Sequence, residues 1–236
     1  MSEKKLAQKN QSQNQAQSQT YSQTHWNKIY RQKDITAATA AEVLLENTRL
    51  LPAHGKVLDY ACGLAGNGFY LANKGYDITL WDVSDVAIEK ASASAKKRGL
   101  KLQAEVKDLE KITSAPEAQF DVIVVSYFLH RESLRSIYDY LKKDGLLFYQ
   151  TFSGKQFNGV GPSREAFRLQ RGELLKVYAD MKLLYYREDL YQEGKEPLLY
   201  EPDPGRQGLN KPGSNKPGSN KPGSNKPGQV YFVAMK

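Results

Sequence analysis

The stretch Val57–Asp82 limits what this chain can become more than any other. Val57-Leu58-Asp59-Tyr60 is an apolar strand ending in a small-residue loop, Ala61-Cys62-Gly63-Leu64-Ala65-Gly66-Asn67-Gly68, which opens a short helix closed by Gly75. Ile78-Thr79-Leu80-Trp81-Asp82 is a second apolar strand that ends on an acid. Small residues at 61, 63, 65 and 66 let ligand atoms approach the backbone closely. An acid 19 residues beyond Gly63 can accept two hydrogen bonds from the vicinal hydroxyls of a ribose. Taken alone, Asp82 reads equally as a helix cap or a surface acid; the loop beside it favours the ribose.

Strands and helices alternate on either side of this unit. A strand at Leu102–Val106 follows a helix that starts at Ser84 or Asp85 and ends Lys96-Lys97-Arg98-Gly99, cations and then a glycine stop. Phe120–Ser126 is the most apolar run and suits a central strand buried on both faces. Further helices are predicted at Thr36–Leu51, Glu132–Lys143 and Ser163–Ala179, with strands at Leu146–Phe152, Met181–Glu188 and Gln229–Met235. The last two have no helix between them and should pair as an antiparallel hairpin. The expected fold is therefore α/β: a doubly wound, mostly parallel seven-stranded sheet with helices on both faces and an antiparallel edge.

Residues 1–24 are almost all Gln, Ser, Asn, Lys and Ala; such a segment cannot bury enough apolar surface to offset chain entropy and reads as a disordered tail. Order is expected from His25-Trp26-Asn27-Lys28-Ile29-Tyr30, where Trp26, Ile29 and Tyr30 share a helix face. That face either packs simply or lies over a ligand pocket with Trp26 and Tyr30 turned inward. One domain is expected over 25–236. It carries a flexible insertion at about 204–228, where Asn-Lys-Pro-Gly-Ser repeats from Asn210. The net charge of +8 over 236 residues suggests a nucleic-acid partner at first. Residues 1–24 carry +2 and 205–228 carry +5, so the globular body carries +1 and a nucleic-acid role is disfavoured. A single cysteine, no leader and no apolar run of membrane length fit a cytoplasmic protein, monomer or homodimer, away from membranes.

In an open α/β sheet, ligands sit beyond the carboxyl ends of the strands. The candidates there are Asp59, the loop 61–67 with Ala61, Gly63 and Asn67, then Asp82 with Val83, Asp108 with Leu109, and Ser126 with Tyr127. Ala61-x-Gly63-x-x-Gly66 nearly matches a dinucleotide fingerprint, so an NAD(P)-dependent oxidoreductase is the competing enzyme class and a non-catalytic binding module a third reading. Asp59 would repel a pyrophosphate and suits an amino-bearing ligand, Asp108 offers a carboxylate to an exocyclic amine, and the chain has no room for a separate substrate domain.

Val57-Leu58-Asp59-Tyr60-Ala61-Cys62-Gly63, Trp81-Asp82-Val83-Ser84 followed by Ala87, Phe120-Asp121-Val122-Ile123 and Lys142-Lys143-Asp144-Gly145-Leu146-Leu147 resemble class I S-adenosylmethionine-dependent methyltransferases. With the segment His25–Tyr30, the chain is most similar to the bacterial tellurite-resistance and thiopurine methyltransferase-like group, over about 25–200 and the last strand. The resemblance implies the Rossmann-like methyltransferase fold and S-adenosyl-L-methionine as methyl donor, with S-adenosyl-L-homocysteine as product. By position it implies that Ala61–Asn67 line the methionine moiety, Asp82 holds the ribose, Asp108-Leu109 flank adenine, and Tyr127 lies near the path of methyl transfer to a small-molecule nucleophile. Trp26, Tyr30, Val83 and Ser126 complete the implied cofactor set. Ala61 and Ala65 stand where the family commonly has glycine.

Methyl transfer from a sulfonium needs in-line approach and exclusion of water, and a base only where the nucleophile arrives protonated. Tyr127 and His130 are the catalytic candidates; His130 serves equally well as a structural residue at a helix start. Arg131, Thr151, Asn158 and Arg164 are candidates on the acceptor side, where the arginines either bind an anionic substrate or are surface charge. No His/Cys grouping has metal-ligand spacing, and no metal is expected.

Overall fold

A computed structural model describes residues 21–112, 117–156, 158–189 and 228–236. Within them the strands are β1 (Lys56–Tyr60), β2 (Asp77–Asp82), β3 (Leu102–Val106), β4 (Phe120–Ser126), β5 (Leu141–Phe152), β6 (Lys182–Asp189) and β7 (Gln229–Met235). The α-helices are α1 (Tyr21–Gln32), α2 (Glu42–Glu46), α3 (Gly66–Ala72), α4 (Asp85–Lys97), α5 (Leu134–Tyr140) and α6 (Glu173–Val177). The strands form one sheet in the order β3-β2-β1-β4-β5-β7-β6. β1 to β5 run parallel, and β7 is antiparallel to both β5 and β6. This is the doubly wound sheet with an antiparallel edge that the alternating pattern predicts. Strand order reverses between β1 and β4, and the carboxyl ends of strands at such a reversal are where open α/β sheets bind ligands.

The period of the strands splits the core into two layers. Leu58, Tyr60, Ile123, Val125, Leu147 and Phe232 face α5 and α6 through Leu134, Ile137, Leu174 and Tyr178. Val57, Ile78, Leu80, Val122, Val124 and Phe148 face the other way, onto Leu44, Phe69, Leu71, Ile88 and Ala91. Val122 to Val125 have no exposed surface, as a strand covered on both faces requires.

Helix lengths depart from the pattern in four places. α1 begins at Tyr21, four residues ahead of the expected start of order at His25; residues 1–20 lie outside the described residues. The helix expected at Thr36–Leu51 is three pieces: single 3-10 turns at Ile35–Ala37 and Thr48–Leu50 around the short α2. Distant side chains claim its backbone: Asn67 Oδ1 accepts the Ala41 N–H at 2.8 Å and Gln150 Oε1 that of Val43 at 2.9 Å. Thr39 also passes so close to Gly66 that a Cβ there would lie 2.1 Å from the Thr39 oxygen. The helix expected at Glu132–Lys143 stops at Tyr140, and β5 starts directly at Leu141. The helix expected at Ser163–Ala179 shrinks to a 3-10 turn at Glu165–Phe167 and the five residues of α6, entered through Gly172 at φ 66°. The repeat expected as an insertion at 204–228 lies, except for Gly228, outside the described residues.

Candidate functional site

The loop after β1 turns through three left-handed residues: Ala61 (φ 55°), Gly63 (φ 52°) and Ala65 (φ 60°). For alanine this conformation costs about 1–2 kcal/mol, so the surroundings must impose it. They do so by hydrogen bonds: Cys62 N–H to Trp81 O at 2.9 Å, Gly63 N–H to Asp82 Oδ2 at 2.8 Å and Ala65 N–H to Cys62 O at 2.8 Å. Gly63 has a second reason to be glycine, because a Cβ there would come within 2.6 Å of the Tyr30 hydroxyl.

Two carboxylates end the strands beside this loop. Asp82 is 5% exposed; its Oδ1 accepts the Ser84 N–H and its Oδ2 the Gly63 N–H, both at 2.8 Å. Burial raises its pKa, and the N–H donors of Ser84, Gly63 and Val83 oppose the rise. Val83 itself is half-buried. Asp59 is fully buried, with Oδ1 taking Asn67 Nδ2 at 3.0 Å and Oδ2 the Gly68 N–H at 2.9 Å. Burial pushes it up to about 7, against the hydrogen bonds from Asn67 and Gly68 and with a contribution from the Asp82 charge. Asn67 also donates to Ser126 Oγ at 3.1 Å. One amide thereby ties β1, β4 and the entry to α2 at the point where strand order reverses.

α1 lies over this corner. Tyr30 reaches the Gly63 loop, and its hydroxyl is held protonated by burial and by the nearby Asp82, Cys62 and Asp59. Of the two readings of this helix face, simple packing or Trp26 and Tyr30 turned inward, the second does not hold for Trp26, which is 37% exposed and stacks on Tyr30 with centroids 5.8 Å apart. Asn27 is the inward residue, accepting the Ser84 hydroxyl at 2.6 Å. Lys90 of α4 fastens the helix end by donating to the carbonyls of Tyr30 (2.7 Å), Arg31 (3.2 Å) and Lys33 (2.9 Å).

Asp108 closes a tight turn after β3, accepting the Glu110 N–H at 3.3 Å and pairing with Lys111 at 3.2 Å. Leu109 beside it is buried, and its carbonyl accepts the Ser133 hydroxyl at 2.7 Å. Because Ser133 spends its proton there, His130 Nδ1 is the donor in its 2.6 Å contact with Ser133 Oγ; Nε2 lies 3.1 Å from Glu132. Nδ1 is therefore committed to Ser133, and Nε2 lies against Glu132. Arg131 is likewise committed, bidentate to Glu173 at 2.7 and 2.9 Å and bonded to the carbonyls of Ala166 and Arg168. Thr151 is buried in β5 opposite Val230, while Asn158 and Arg164 are exposed on the segment that follows.

Tyr127 stands at the end of β4 at φ 56° and is 46% exposed. Its N–H donates to Gln150 O at 2.8 Å, and its hydroxyl accepts Gln150 Nε2 at 3.0 Å. Gln150 Nε2 also reaches Gln229 Oε1 at 2.8 Å. A bulky residue held left-handed at a strand end is strain that only an over-determined site sustains. Asn27, Gln150, Gln229 and Arg168 escape sequence reasoning. The one signal is Gln150, a polar residue in an apolar strand. Among the described residues, no helix is long and apolar enough to cross a membrane.

Comparison with known proteins places this arrangement. The family model described as Tellurite resistance protein TehB matches residues 22–196. A probable S-adenosyl-L-methionine-dependent methyltransferase TehB from Haemophilus influenzae is 29% identical over 139 residues, 57% of this chain and 49% of that protein. The putative methyltransferase YqeM of Bacillus subtilis is 29% identical over 123 residues, 48% of each. The chain thus spans about half the length of the curated relatives it matches. In fold it is similar to the crystal structure of TehB from Haemophilus influenzae, with TM-score 0.61 and 21% identity over 89% of this chain and 67% of that one. It is also similar to a TehB-like SAM-dependent methyltransferase from Corynebacterium glutamicum, with TM-score 0.53 and 20% identity over 90% and 98% of the two chains. With the family model matched over well more than half of its length, the chain belongs to the tellurite resistance protein TehB family.

Proposed function

We propose that the protein is an S-adenosyl-L-methionine-dependent methyltransferase acting on a small-molecule nucleophile, a thiol, oxyanion or chalcogen anion, by direct in-line displacement. The observation that carries this reading is Asp82, a buried strand-end carboxylate fixed by two backbone N–H groups. Each of its oxygens keeps acceptor capacity for one hydroxyl of a vicinal diol. The residues also fit the rest of an adenosyl ligand. The loop turns at Gly63 under Tyr30, Asp59 behind it is a carboxyl that a cationic group would ionise, and Asp108 lies two residues beyond β3, where an exocyclic amine would need an acceptor.

The bound donor supplies an electrophilic sulfonium methyl. The part of this chain is then to bind, orient and exclude water. In this reading Asp82 and Val83 hold the ribose, Ala61, Gly63 and Asn67 line the methionine end with Asp59 and Ser126 behind them, and Asp108 and Leu109 flank adenine. Tyr30, stacked on Trp26, covers the loop, and Tyr127 borders the acceptor's approach with Thr151, Asn158 and Arg164 on the acceptor side. A nucleophile that arrives as an anion or soft thiol requires no base. That accords with His130 and Arg131 being engaged by Ser133, Glu132 and Glu173. A domain over 25–236, a cytoplasmic location and a monomeric or homodimeric state belong to the same proposal, and the charge distribution supports a partner other than nucleic acid.

Calorimetry with S-adenosylhomocysteine and with NADH tests the reading. The expected outcome is binding of the former alone, lost at least about 100-fold in Asp82→Ala while the variant stays folded. NADH binding in its place, or unchanged affinity in Asp82→Ala, overturns it. Release of S-adenosylhomocysteine across thiols, oxyanions and chalcogen anions then identifies the acceptor.

A further inference from the structure

Asn27 is the buried side chain of α1, at 1% exposure. It is held by Ser84, whose hydroxyl oxygen already accepts the Ala87 N–H as the cap of α4 at 3.1 Å. The single Ser84 proton is free to go to Asn27 Oδ1, 2.6 Å away. That contact fixes which end of the amide is nitrogen. Nδ2 then carries two N–H donors, is buried and has no hydrogen-bond partner among the described residues. A buried donor without a partner costs about 1–3 kcal/mol and calls for a physical reason.

Its position supplies one. The Ser84 N–H binds Asp82 Oδ1, and Asp82 Oδ2 binds the Gly63 N–H. Tyr30, one helical turn beyond Asn27 on the same face of α1, meets Gly63. Asn27 and Tyr30 together close over the carboxyl end of β2, where the proposed function puts the ribose.

We propose that Asn27 Nδ2 donates a hydrogen bond to a ribose hydroxyl oxygen of the bound adenosyl ligand. This rests on the reading of Asp82 as the ribose acceptor. A hydroxyl that gives its proton to a carboxylate keeps an oxygen that accepts, and an amide N–H is its complement. Asp82 and Asn27 then satisfy both halves of one hydroxyl, and ligand binding pins α1 to the sheet through Asn27. A site built this way rejects a ligand lacking that hydroxyl, because the donor is left unpaired again.

The test is a cycle between protein and ligand, read by calorimetry on the full chain. S-adenosylhomocysteine and its 2′-deoxy and 3′-deoxy analogues are titrated into the wild type and Asn27→Asp, which keeps the acceptor for Ser84 and removes the donor. The expected result is an affinity loss of at least about tenfold for S-adenosylhomocysteine that shrinks to within about twofold on one of the two deoxy analogues. Equal losses on all three ligands, as a packing defect or an added charge would produce, overturn the assignment of Asn27 and leave Asp82 standing. A wild type that does not bind S-adenosylhomocysteine overturns the ribose reading itself. Should Asn27→Asp fail to fold, Asn27→Ala takes its place in the cycle, with the same pattern of losses expected and the same equal losses overturning the assignment.

Discussion

Asp59 and Asp82 end neighbouring strands, and burial raises both, Asp59 to about 7 from an ordinary 3.8. Between those two values the folded chain holds a proton on Asp59 that the unfolded chain has lost. Stability therefore falls as pH rises through this window, and the contribution is gone above about pH 7. Asp121 and Glu173 are held below their ordinary 3.8 and 4.5, despite their burial, by Lys142 and Arg131, so they act with opposite sign below about pH 4.5 and leave the interval above it to Asp59 and Asp82. The urea midpoint of the wild type should decline from about pH 5 to about pH 8, and the decline should flatten in Asp59→Asn. A midpoint that climbs over this range contradicts the account. Ligand binding should run the other way: a cationic adenosyl ligand beside the loop favours the Asp59 carboxylate. Its affinity should rise over the same interval, with proton release visible as a dependence of the binding enthalpy on buffer.

At the scale of elements, the segment proposed to border the acceptor hangs on Arg168. Arg168 is 3% exposed; its guanidinium lies over the Phe152 ring, 5.3 Å from the centroid, and its hydrogen bonds run to carbonyls: Gly154 through Nε, Val160 and Pro162 through Nη1, and Ser153, Lys155 and Gly228 through Nη2. It gathers the Gly-rich segment after β5 onto the start of β7. Removing it strands several carbonyls, and Arg168→Met should cost about 3 kcal/mol in urea denaturation. Arg168→Lys should recover only part, because a point ammonium cannot span acceptors spread over a planar fork. Proteolytic nicking at 153–162 should rise in the order wild type, Lys, Met; equal resistance in all three would show that the segment holds itself. Arg168 also shows where sequence reading stops. Strands are legible because apolar runs and two-residue periods are local, and Asp59, Gly63 and Asp82 are legible because loop chemistry and spacing are local too. The helices at 36–51 and 163–179 are shorter than their patterns because side chains far away in the chain take over their backbone groups: Asn67 and Gln150 bind the N–H of Ala41 and Val43, and Arg131 binds the carbonyls of Ala166 and Arg168. Asn27 finds Ser84 across 57 residues, a pairing no local pattern carries.

For the whole molecule, the connection from β6 to β7 sets a different problem. Its ends meet: the Gly228 N–H donates to Asp189 O at 2.5 Å, and Ser153 N–H to Gly228 O at 2.9 Å. β7 is buried between β5 and β6 and holds Gln229 in the Tyr127 network, so the site depends on closing this connection correctly. Closing a long loop costs only about 0.6 kcal/mol per doubling of its length, so the fold can carry the repeat without needing it. Replacing residues 190–227 by an Asn-Gly turn should leave the sheet intact and raise stability by up to about 2 kcal/mol. Affinity for S-adenosylhomocysteine should be unchanged, because Asp82, the Gly63 loop and α1 lie across the sheet from this edge. The replacement removes Lys195 and the five cations of 205–228 but also Glu193, Glu196, Glu201 and Asp203, taking the net charge from +8 to +6, so any retention of the wild type on a polyanion column at low salt should weaken only modestly in the shortened chain. A shortened chain that unfolds or loses the ligand would show that the segment between Asp189 and Gly228 packs on the body and is part of the site.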